Sequence, residues 1–348
     1  MFRILSGIRP SGDLHLGNYL GAIQQWMALQ KKHEVFYMVA DLHAITTPFD
    51  PTTLPALIRN TVIDYLAAGL DPTKATIFVQ SHIPAHCQLM WLLNTITPVG
   101  ELQRMVQFKE KSEQYADYQN AGILNYPILM AADILAYKSE SIPVGDDQDQ
   151  HVEMARDLAK KFNRQYGETF PEPKSLHTGG KRIMDLVHPD QKMSKSTGGG
   201  ILLNDTPEDV EKKVRKAVSS SEPRVIREAF KAATAGAKAV EREWKGDQNL
   251  QKQFHGVRNL FTILLALGST SDIMHWATQA EIGELKFSEF KPALATIIID
   301  HFAPFRELRA RLVKDTTYVQ GVVDEGNKKA SIVAEATLLE VQQKMGLR

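Results

Sequence analysis

Cysteine is nearly absent from this sequence. The 348 residues include a single cysteine, Cys87. One thiol excludes a disulfide framework within the chain, a cysteine zinc cage and a cysteine-ligated iron–sulfur cluster. Because disulfides are rare in reducing compartments, this composition favours a cytoplasmic protein.

Net charge and long apolar runs are also absent. The 41 basic residues balance 41 acidic ones, so the chain is not a general nucleic-acid binder and must contact any polyanion through local basic patches. The longest apolar run, "LFTILLALG", is shorter than the roughly 20 residues that span a bilayer. The opening "MFRILSGIRPSG" lacks the apolar centre of a signal peptide. The sequence therefore predicts no membrane segment.

Short apolar runs alternate with amphipathic helical stretches in the first half. These runs are continuously apolar, as in strands buried on both faces. They occupy 2–7, 35–43, 75–81 and 141–145. The intervening helices are predicted at 17–31, 52–69, 85–96, 125–138 and 148–166. This alternation predicts an α/β fold with a doubly wound, parallel, Rossmann-like sheet. A further strand is predicted at "RIMDLV", 182–187.

The remainder of the chain is mostly helical in pattern. One helix start is marked by Thr206 as a cap, Pro207 at the first position and acids in the first turn. Later helices are predicted at 223–235, 248–267, 270–280, 287–314 and 327–345. We therefore expect a catalytic domain over 1–205 and a helical C-terminal domain over 206–348, with the last helix a candidate for packing back on the first domain.

A glycine-spaced turn follows the first predicted strand. Gly7, Gly12 and Gly17 are evenly spaced, and His15 and Asn18 flank the last of them. A turn that leaves a strand and enters a helix presents backbone N–H groups and the positive helix end to a phosphate. The same pattern is typical of a well-capped helix, so alone it decides nothing.

The pentapeptide "KMSKS", 192–196, places two lysines in a polar segment. Alone it is typical of an exposed loop. However, "HLGN" at 15–18 resembles the H-I-G-H motif of class I aminoacyl-tRNA synthetases, and "KMSKS" is similar to their second motif. The resemblance implies that the lysines face the phosphates of an ATP bound on the 15–18 turn.

Longer stretches resemble the bacterial tryptophanyl-tRNA synthetase family over essentially the whole chain. Among them are "GELQRMVQFKEKS", "YPILMAADILAY" and "VGDDQDQH". The resemblance implies activation of L-tryptophan by ATP and transfer to the 3′ end of tRNA(Trp). It also implies Mg²⁺ accompanying the nucleotide, a cytoplasmic location and a homodimer, with residues 75–130 as the interface.

One helix face carries the expected tryptophan receptor. Tyr126, Met130, Asp133 and Tyr137 are spaced 4, 3 and 4 apart, so they share a face. An indole is an apolar plate with one N–H donor. Met130 would supply an apolar wall and Asp133 the acceptor. A buried carboxylate left without that donor would reject phenylalanine by roughly a thousandfold. The alternative is that Asp133 is a structural acid.

The resemblance assigns further positions by function. The amino-acid pocket comprises Gly7, His43, Tyr126, Met130, Asp133, Val144 and Gln148. ATP is held by Arg9, Pro10, Ser11, Gly17, Asn18, Gly145, Asp146, Asp147, Ile183, Lys192, Met193, Ser194, Lys195 and Ser196. Catalysis is assigned to His15, Asn18, Lys192, Lys195 and Lys111. No protein metal site is expected. We interpret His82 and His86 as structural or surface residues, because no acid or cysteine completes a ligand set.

Two basic clusters are candidates for contacting tRNA phosphates, although solvated faces balanced by nearby acids would look the same. They comprise Lys212, Lys213, Arg215 and Lys216, and Arg306, Arg309, Arg311 and Lys314. The "TGGG" after the second motif predicts a mobile loop.

Three alternative functions share parts of this pattern. A tyrosyl-tRNA synthetase would have the same fold and both motifs. A nucleotidylyltransferase that adenylates a small acid shares the first motif, and a non-catalytic descendant would retain the fold.

Overall fold

The computed structural model describes residues 2–108, 118–177, 181–194, 198–235 and 247–348. The chain forms two compact units. The first comprises Met1–Gly12, Gln25–Gly179 and Arg311–Arg348, and the second Asp13–Gln24 and Gly180–Ala310. This division follows contacts within the chain, and the functional boundary at residue 205 stays a prediction. Across the described ranges, no helix is both long and apolar enough to cross a membrane.

The sheet lies in the first unit. Its described strands are β1 (Arg3–Ile8), β2 (Glu34–Val39), β3 (Ala75–Val79), β4 (Ser141–Pro143) and β5 (Lys174–Leu176). They pair in parallel in the order β3-β2-β1-β4-β5. The chain builds outward from β1 to one edge and then crosses to the other side, which defines a doubly wound sheet. The predicted fold class is confirmed.

The strand predicted at 182–187 is wrong. Asp185 is buried, and its Oδ1 accepts hydrogen bonds from Val187 N at 2.8 Å and His188 N at 2.9 Å. These bonds turn the chain, and only an isolated bridge joins Met184 to Lys192.

Helices surround the sheet and form most of the second unit. In the first half they are α1 (Leu16–Asn18), α2 (Gln24–Leu29), α3 (Asp41–Ala44), α4 (Leu54–Ala67), α5 (Ala85–Asn94), α6 (Val99–Gln103), α7 (Ala121–Ala136) and α8 (Asp149–Tyr166). A π-helical turn, Tyr19–Ile23, separates α1 from α2. Later come α9 (Pro207–Lys216), α10 (Pro223–Ala235), α11 (Gln248–Leu267), α12 (Thr270–Ile282), α13 (Phe287–His301), α14 (Ala303–Lys314) and α15 (Thr316–Lys344).

Local chemistry explains two of these boundaries. Thr206 caps α9, because its side chain accepts a hydrogen bond from Asp209 N at 3.2 Å, as predicted. The single helix predicted over 287–314 is two helices, α13 and α14. Pro304 falls at the start of α14, where its missing N–H does no harm, whereas inside one long helix it would break the hydrogen-bond ladder.

The last helix completes the core of the first unit. Ala330, Ala334 and Val341 of α15 are buried in the same apolar cluster as Phe36 and Phe78 of the sheet. At the edge strand β3, Asn327 Oδ1 accepts a hydrogen bond from Val79 N at 3.0 Å. The helix thus covers a strand edge that would otherwise expose unpaired backbone groups.

A glycine makes this close approach possible. A Cβ at Gly326 would overlap the carbonyl oxygen of Ile77, whereas a Cβ at Gly321, in the same helix, meets nothing within 4 Å. Overpacking costs about 1–3 kcal/mol or more, and alanine at an open helical position gains about 0.5–1 kcal/mol over glycine. We therefore expect Gly326→Ala to lower the free energy of unfolding and Gly321→Ala to raise it. Urea titrations of both variants test this, and equal effects would contradict it.

Candidate active site

In the first unit, the predicted tryptophan receptor lies on α7. Asn120 caps this helix, because its Oδ1 accepts a hydrogen bond from Ile123 N at 3.1 Å. The helix tolerates the internal Pro127 and buries Asp133 in the middle of an apolar run, with 1% of the residue exposed. The spacing of Tyr126, Met130 and Asp133 therefore coincides with a continuous helix, and Tyr137 is the residue that caps its C-terminal end.

Three protein groups donate to the Asp133 carboxylate. His43 Nε2 lies 2.7 Å from Oδ2, while Gln80 Nε2 at 2.8 Å and His86 Nδ1 at 2.6 Å both contact Oδ1. The far nitrogen of His86, Nε2, lies 2.8 Å from the Tyr137 hydroxyl. Since a carboxylate has about four acceptor positions, the donors of the described residues leave one position for a ligand.

These contacts keep Asp133 ionised. Burial raises the pKa of its carboxyl, but the charge of His43 and hydrogen bonds from His43 and His86 outweigh burial and lower the pKa to about 2. Near neutral pH the group is therefore an anion that can only accept hydrogen bonds.

The expected discrimination against phenylalanine must be revised. That expectation assumed a carboxylate without a donor when the indole is missing. Asp133 already has three donors, from Gln80, His43 and His86. The cost of leaving its last acceptor position empty is smaller than that of an unpaired buried charge.

Other predicted pocket residues gather nearby in this unit. The Tyr126 ring makes an edge contact with His43 at 6.4 Å. Its hydroxyl donates to Gln107 Oε1 at 3.2 Å and lies 3.0 Å from His151 Nε2. Gln107 Nε2 in turn donates to the Asp147 carbonyl at 3.0 Å. A hydrogen-bonded path thus joins Tyr126 to the turn predicted to contact both substrates.

The ends of β1 and β4 carry further predicted positions. Gly7 is near the end of β1, and a Cβ there would lie 2.7 Å from Met38 O on the neighbouring strand, so a side chain is excluded. Val144 follows β4 and, like Met130, packs partly buried against the core. The adjoining positions of the predicted nucleotide set are Arg9, Pro10 and Ser11 after β1, and Gly145, Asp146, Asp147 and Gln148 after β4.

In the second unit, the first motif forms a reciprocal cap at the start of α1. His15 Nδ1 accepts from Asn18 N at 3.2 Å, and Asn18 Oδ1 accepts from His15 N at 3.1 Å. A Cβ at Gly17 would approach His15 Nδ1 to 3.0 Å, so a bare glycine lies between the two side chains. This arrangement leaves the far imidazole nitrogen of His15 outside the cap.

The second motif lies against the first. Met193 is buried, its N donates to Ile183 O at 3.1 Å, and its Cβ would lie 3.5 Å from a Cβ at Gly17. Leu16 N donates to Ile201 O at 2.8 Å. Residues 15–18 and 192–194 are therefore neighbours, although about 175 residues separate them in the sequence.

Two further members of the second motif are described by the structure. Lys192 is exposed and Ser194 half-buried. Lys195, Ser196 and Lys111 lie outside the described residues, and their assigned roles stay predictions.

The glycines after the second motif serve packing. Gly199 and Gly200 are buried. A Cβ at Gly199 would overlap the Asp185 carboxylate, and one at Gly200 would overlap Ser194 O. Glycine permits close contact at these two positions, and the mobility expected of the TGGG segment stays a prediction.

Sequence analysis missed Gln80, His86, Gln107 and His151. His86 was interpreted as structural or surface, and it is fully buried against the predicted receptor. His82, four residues earlier, is exposed and accepts a hydrogen bond from Asn327 Nδ2 at 2.8 Å. The role of His86 follows from its contact with Asp133, and sequence spacing alone does not predict that contact.

A separate cavity of about 850 Å³ lies between α3, α4 and α15. None of the predicted site residues that the structure describes lines it. Its buried acid, Asp41, is already bound by the hydroxyl and backbone N–H of Ser81. The cavity is therefore not the candidate site.

Comparison with known proteins identifies the family. A family model described as "tRNA synthetases class I (W and Y)" matches residues 1–303, which include both motifs and Asp133. The chain belongs to this family. It is 41% identical to the tryptophan–tRNA ligase of Clostridium tetani, over 99% of this chain and 95% of that protein. It is 43% identical to tryptophan–tRNA ligase 2 of Streptomyces avermitilis, over 99% and 96%.

A solved structure from the family supports the same placement. The tryptophanyl-tRNA synthetase of Campylobacter jejuni, complexed with ADP and tryptophan, is 29% identical to this chain, with a TM-score of 0.81 and coverage of 99% and 100%. Membership in the family accounts for the two motifs and the Rossmann-like sheet, and it excludes an unrelated origin for the "KMSKS" segment.

Proposed function

We infer that this chain is a tryptophan–tRNA ligase: it activates L-tryptophan with ATP and transfers it to tRNA(Trp). The observation that carries the inference is about 40% identity to tryptophan–tRNA ligases along the full chain. It is supported by the buried, ionised Asp133, which suits the single N–H of an indole. The tyrosyl alternative fits less well, because a phenol hydroxyl brings its own acceptor to a site that offers an anion.

The first step joins the tryptophan carboxylate to the α-phosphorus of ATP and expels pyrophosphate. The attacking carboxylate is already ionised, so no side chain need serve as nucleophile or base. Catalysis is then positioning and stabilisation of charge on the leaving phosphates. We assign the latter to His15, Asn18, Lys192 and Lys195, with Lys111 as a further phosphate contact.

The nucleotide is proposed to bring Mg²⁺ with it. Triphosphate oxygens and water suit this ion, and within the described ranges no three histidine, cysteine or acidic side chains are grouped to hold a metal.

In the second step the terminal adenosine of the tRNA attacks the adenylate carbonyl through its 2′-hydroxyl, which forms the ester bond, breaks the mixed anhydride and releases AMP. The residues of the basic clusters proposed to contact tRNA differ in their ion pairs and in their exposure. Lys213 pairs with Asp205 at 2.6 Å and Arg309 with Asp13 at 3.4 Å. Lys212, Arg215 and Lys216 are exposed and are the better candidates. Arg215 also borders a cavity of about 500 Å³ lined by Phe287 and Lys291, which suits a stacked base.

A homodimer is proposed through the 75–130 region. Trp91, Val99 and Val106 expose 70%, 60% and 56% of their surfaces, and exposed apolar patches mark interaction sites. We expect Trp91→Glu to convert dimers to monomers without lowering thermal stability by much. Sedimentation equilibrium measures this, with Met274→Glu, another exposed apolar residue at 65%, as the control. A Trp91→Glu dimer would contradict the interface.

A cytoplasmic location is proposed from the same considerations as before: one cysteine and a function in translation.

Two assays test the function. Exchange of pyrophosphate into ATP should depend on tryptophan and not on tyrosine, which separates the tyrosyl alternative. Charging of tRNA(Trp) separates a ligase from a nucleotidylyltransferase. Exchange without charging would reject the ligase. The absence of both reactions would indicate a non-catalytic descendant.

A further inference from the structure

The Oδ1 atom of Asp133 receives its hydrogen bonds from the protein itself. Oδ1 receives hydrogen bonds from Gln80 Nε2 and His86 Nδ1, at 2.8 and 2.6 Å. Gln80 and His86 are both completely buried. Within the described ranges, the Oδ2 side has a single protein donor, His43, whose side chain is 12% exposed. The remaining acceptor position is therefore on the Oδ2 side.

Contacts on the side of the ring away from Asp133 fix the orientation of His86. Its Nε2 lies 2.8 Å from the hydroxyl of Tyr137, and its ring packs against the rings of Tyr137 and Phe78 at 5.5 and 6.0 Å. Because the ionised Asp133 can only accept, Nδ1 carries the proton. The Tyr137 hydroxyl partners the other ring nitrogen, Nε2, so that both nitrogens are satisfied. Tyr137 thus holds the ring in the orientation in which Nδ1 donates to Asp133.

We propose that His86 and Tyr137 are a positioning pair for tryptophan selection, which holds the Asp133 carboxylate in one rotamer with a single acceptor position open to an indole N–H. This inference rests on the proposed function and adds to it the residues that set selectivity for a ring carrying an N–H. Neither residue touches the substrate; both act through Asp133.

The pair predicts a selective defect. Without the His86 donor, the carboxylate turns or takes up other donors, and its open position is lost. Tryptophan should then bind more weakly. An isosteric ligand without the N–H should bind as before, because it never used the acceptor. A purely structural role would weaken both ligands alike.

The test compares tryptophan with benzothienylalanine, in which sulfur replaces the indole N–H. Calorimetric affinities of both ligands are measured for the unmodified protein and for His86→Leu, His86→Asn and Tyr137→Phe. His86→Leu should reduce the preference for tryptophan by roughly ten- to a hundredfold, the range for a hydrogen bond to a charged group. The amide N–H of asparagine can take the place of Nδ1–H, so His86→Asn should keep most of the preference. Tyr137→Phe should reduce it by less than His86→Leu.

Several outcomes would overturn the pair. One is an equal loss for both ligands in His86→Leu, and another is a His86→Asn variant as unselective as His86→Leu. If His86→Leu does not fold, an unchanged preference in both milder variants refutes the proposal. Calorimetry requires no catalysis, so this failure is distinct from that of the proposed function. If the protein shows a normal preference for tryptophan but no pyrophosphate exchange, the proposed function alone is rejected. If the unmodified protein binds neither ligand, the proposed function and the positioning pair are both rejected.

Discussion

Replacing Asp133 with asparagine is expected to have the largest effect of any single change on tryptophan recognition. An amide cannot accept from the donors around it as an anion does, and its own NH₂ would face His43, Gln80 or His86 at the distances of the present hydrogen bonds. Breaking a buried charged network costs about 3–5 kcal/mol, shared between folding and binding. We expect a KM for tryptophan raised by roughly a hundredfold or more and a lower free energy of unfolding, measured by pyrophosphate exchange and urea titration.

A matched control separates these two effects. Asp41 is also a buried acid, whose carboxylate accepts from Ser81 and from the backbone N–H of Leu42, and among the described residues it has no hydrogen bond to Asp133 or His43. Asp41→Asn should lower stability and leave the KM for tryptophan within a few fold of its normal value. A similar rise in KM for both variants would mean that Asp133 is the structural acid of the alternative reading.

The free energy of unfolding at acid pH provides a second measurement on Asp133. The pKa of Asp133 in the folded protein is about 2, below the value of about 3.9 for an unfolded aspartate. The ionised group therefore stabilises the fold fully above pH 4, and this contribution is lost as the pH falls toward 2. Asp133→Asn should flatten the dependence of unfolding free energy on pH in that interval. If this pH dependence is unchanged in the variant, other carboxylates cause it.

Loss of the His15 imidazole is expected to have the largest effect on adenylate formation. The far ring nitrogen takes no part in the cap and is proposed to stabilise charge on the leaving phosphates. Removing one such donor costs about 2.7–4 kcal/mol of barrier, a rate loss of roughly a hundred- to a thousandfold. We expect this loss in kcat for His15→Asn, with tryptophan affinity nearly unchanged.

The choice of asparagine keeps the helix start intact. Asparagine is a good N-cap and can accept from Asn18 N in place of His15 Nδ1, whereas alanine forfeits about 1 kcal/mol of cap energy. His15→Asn should therefore unfold at nearly the normal temperature and His15→Ala at a lower one, with similar rate losses. A His15→Asn variant that retains its rate within a few fold would show that the residue only caps the helix. Lys195→Ala should likewise reduce the rate and spare tryptophan binding.

The sequence indicates the sheet wherever strands are long and apolar. β1, β2 and β3 are five or six residues long, and most side chains of β2 and β3 are buried. β1 and β3 lie within two residues of their predicted bounds, whereas the run predicted at 35–43 continues past the end of β2 into α3. β5 could not be found this way, because Lys174–Leu176 is three residues long and only partly buried. The apolar 182–187 run was preferred instead, since the pattern does not reveal that Asp185 turns the chain.

The candidate site shows the same limit in its side chains. Asp133 could be predicted, because an acid inside an apolar helix with aromatic neighbours at 4- and 3-residue spacing shares their face. The donors Gln80 and His86 lie 53 and 47 residues away in sequence. Their contact with Asp133 depends on how the segment after β3 sits beside α7, which no local pattern encodes. The same holds for Gln107, whose bond to Tyr126 spans 19 residues.

The position of α15 has a consequence for how the chain reaches its native state during synthesis. The first unit draws on residues near both ends of the chain, and Ala330, Ala334 and Val341 complete its core. Domains usually begin to fold while translation continues. Here, however, the strands emerge from the ribosome well before the helix that seals β3. Until residues 316–344 follow, the nascent sheet keeps an open edge and an uncovered apolar face, so a chaperone has a long interval in which to bind it.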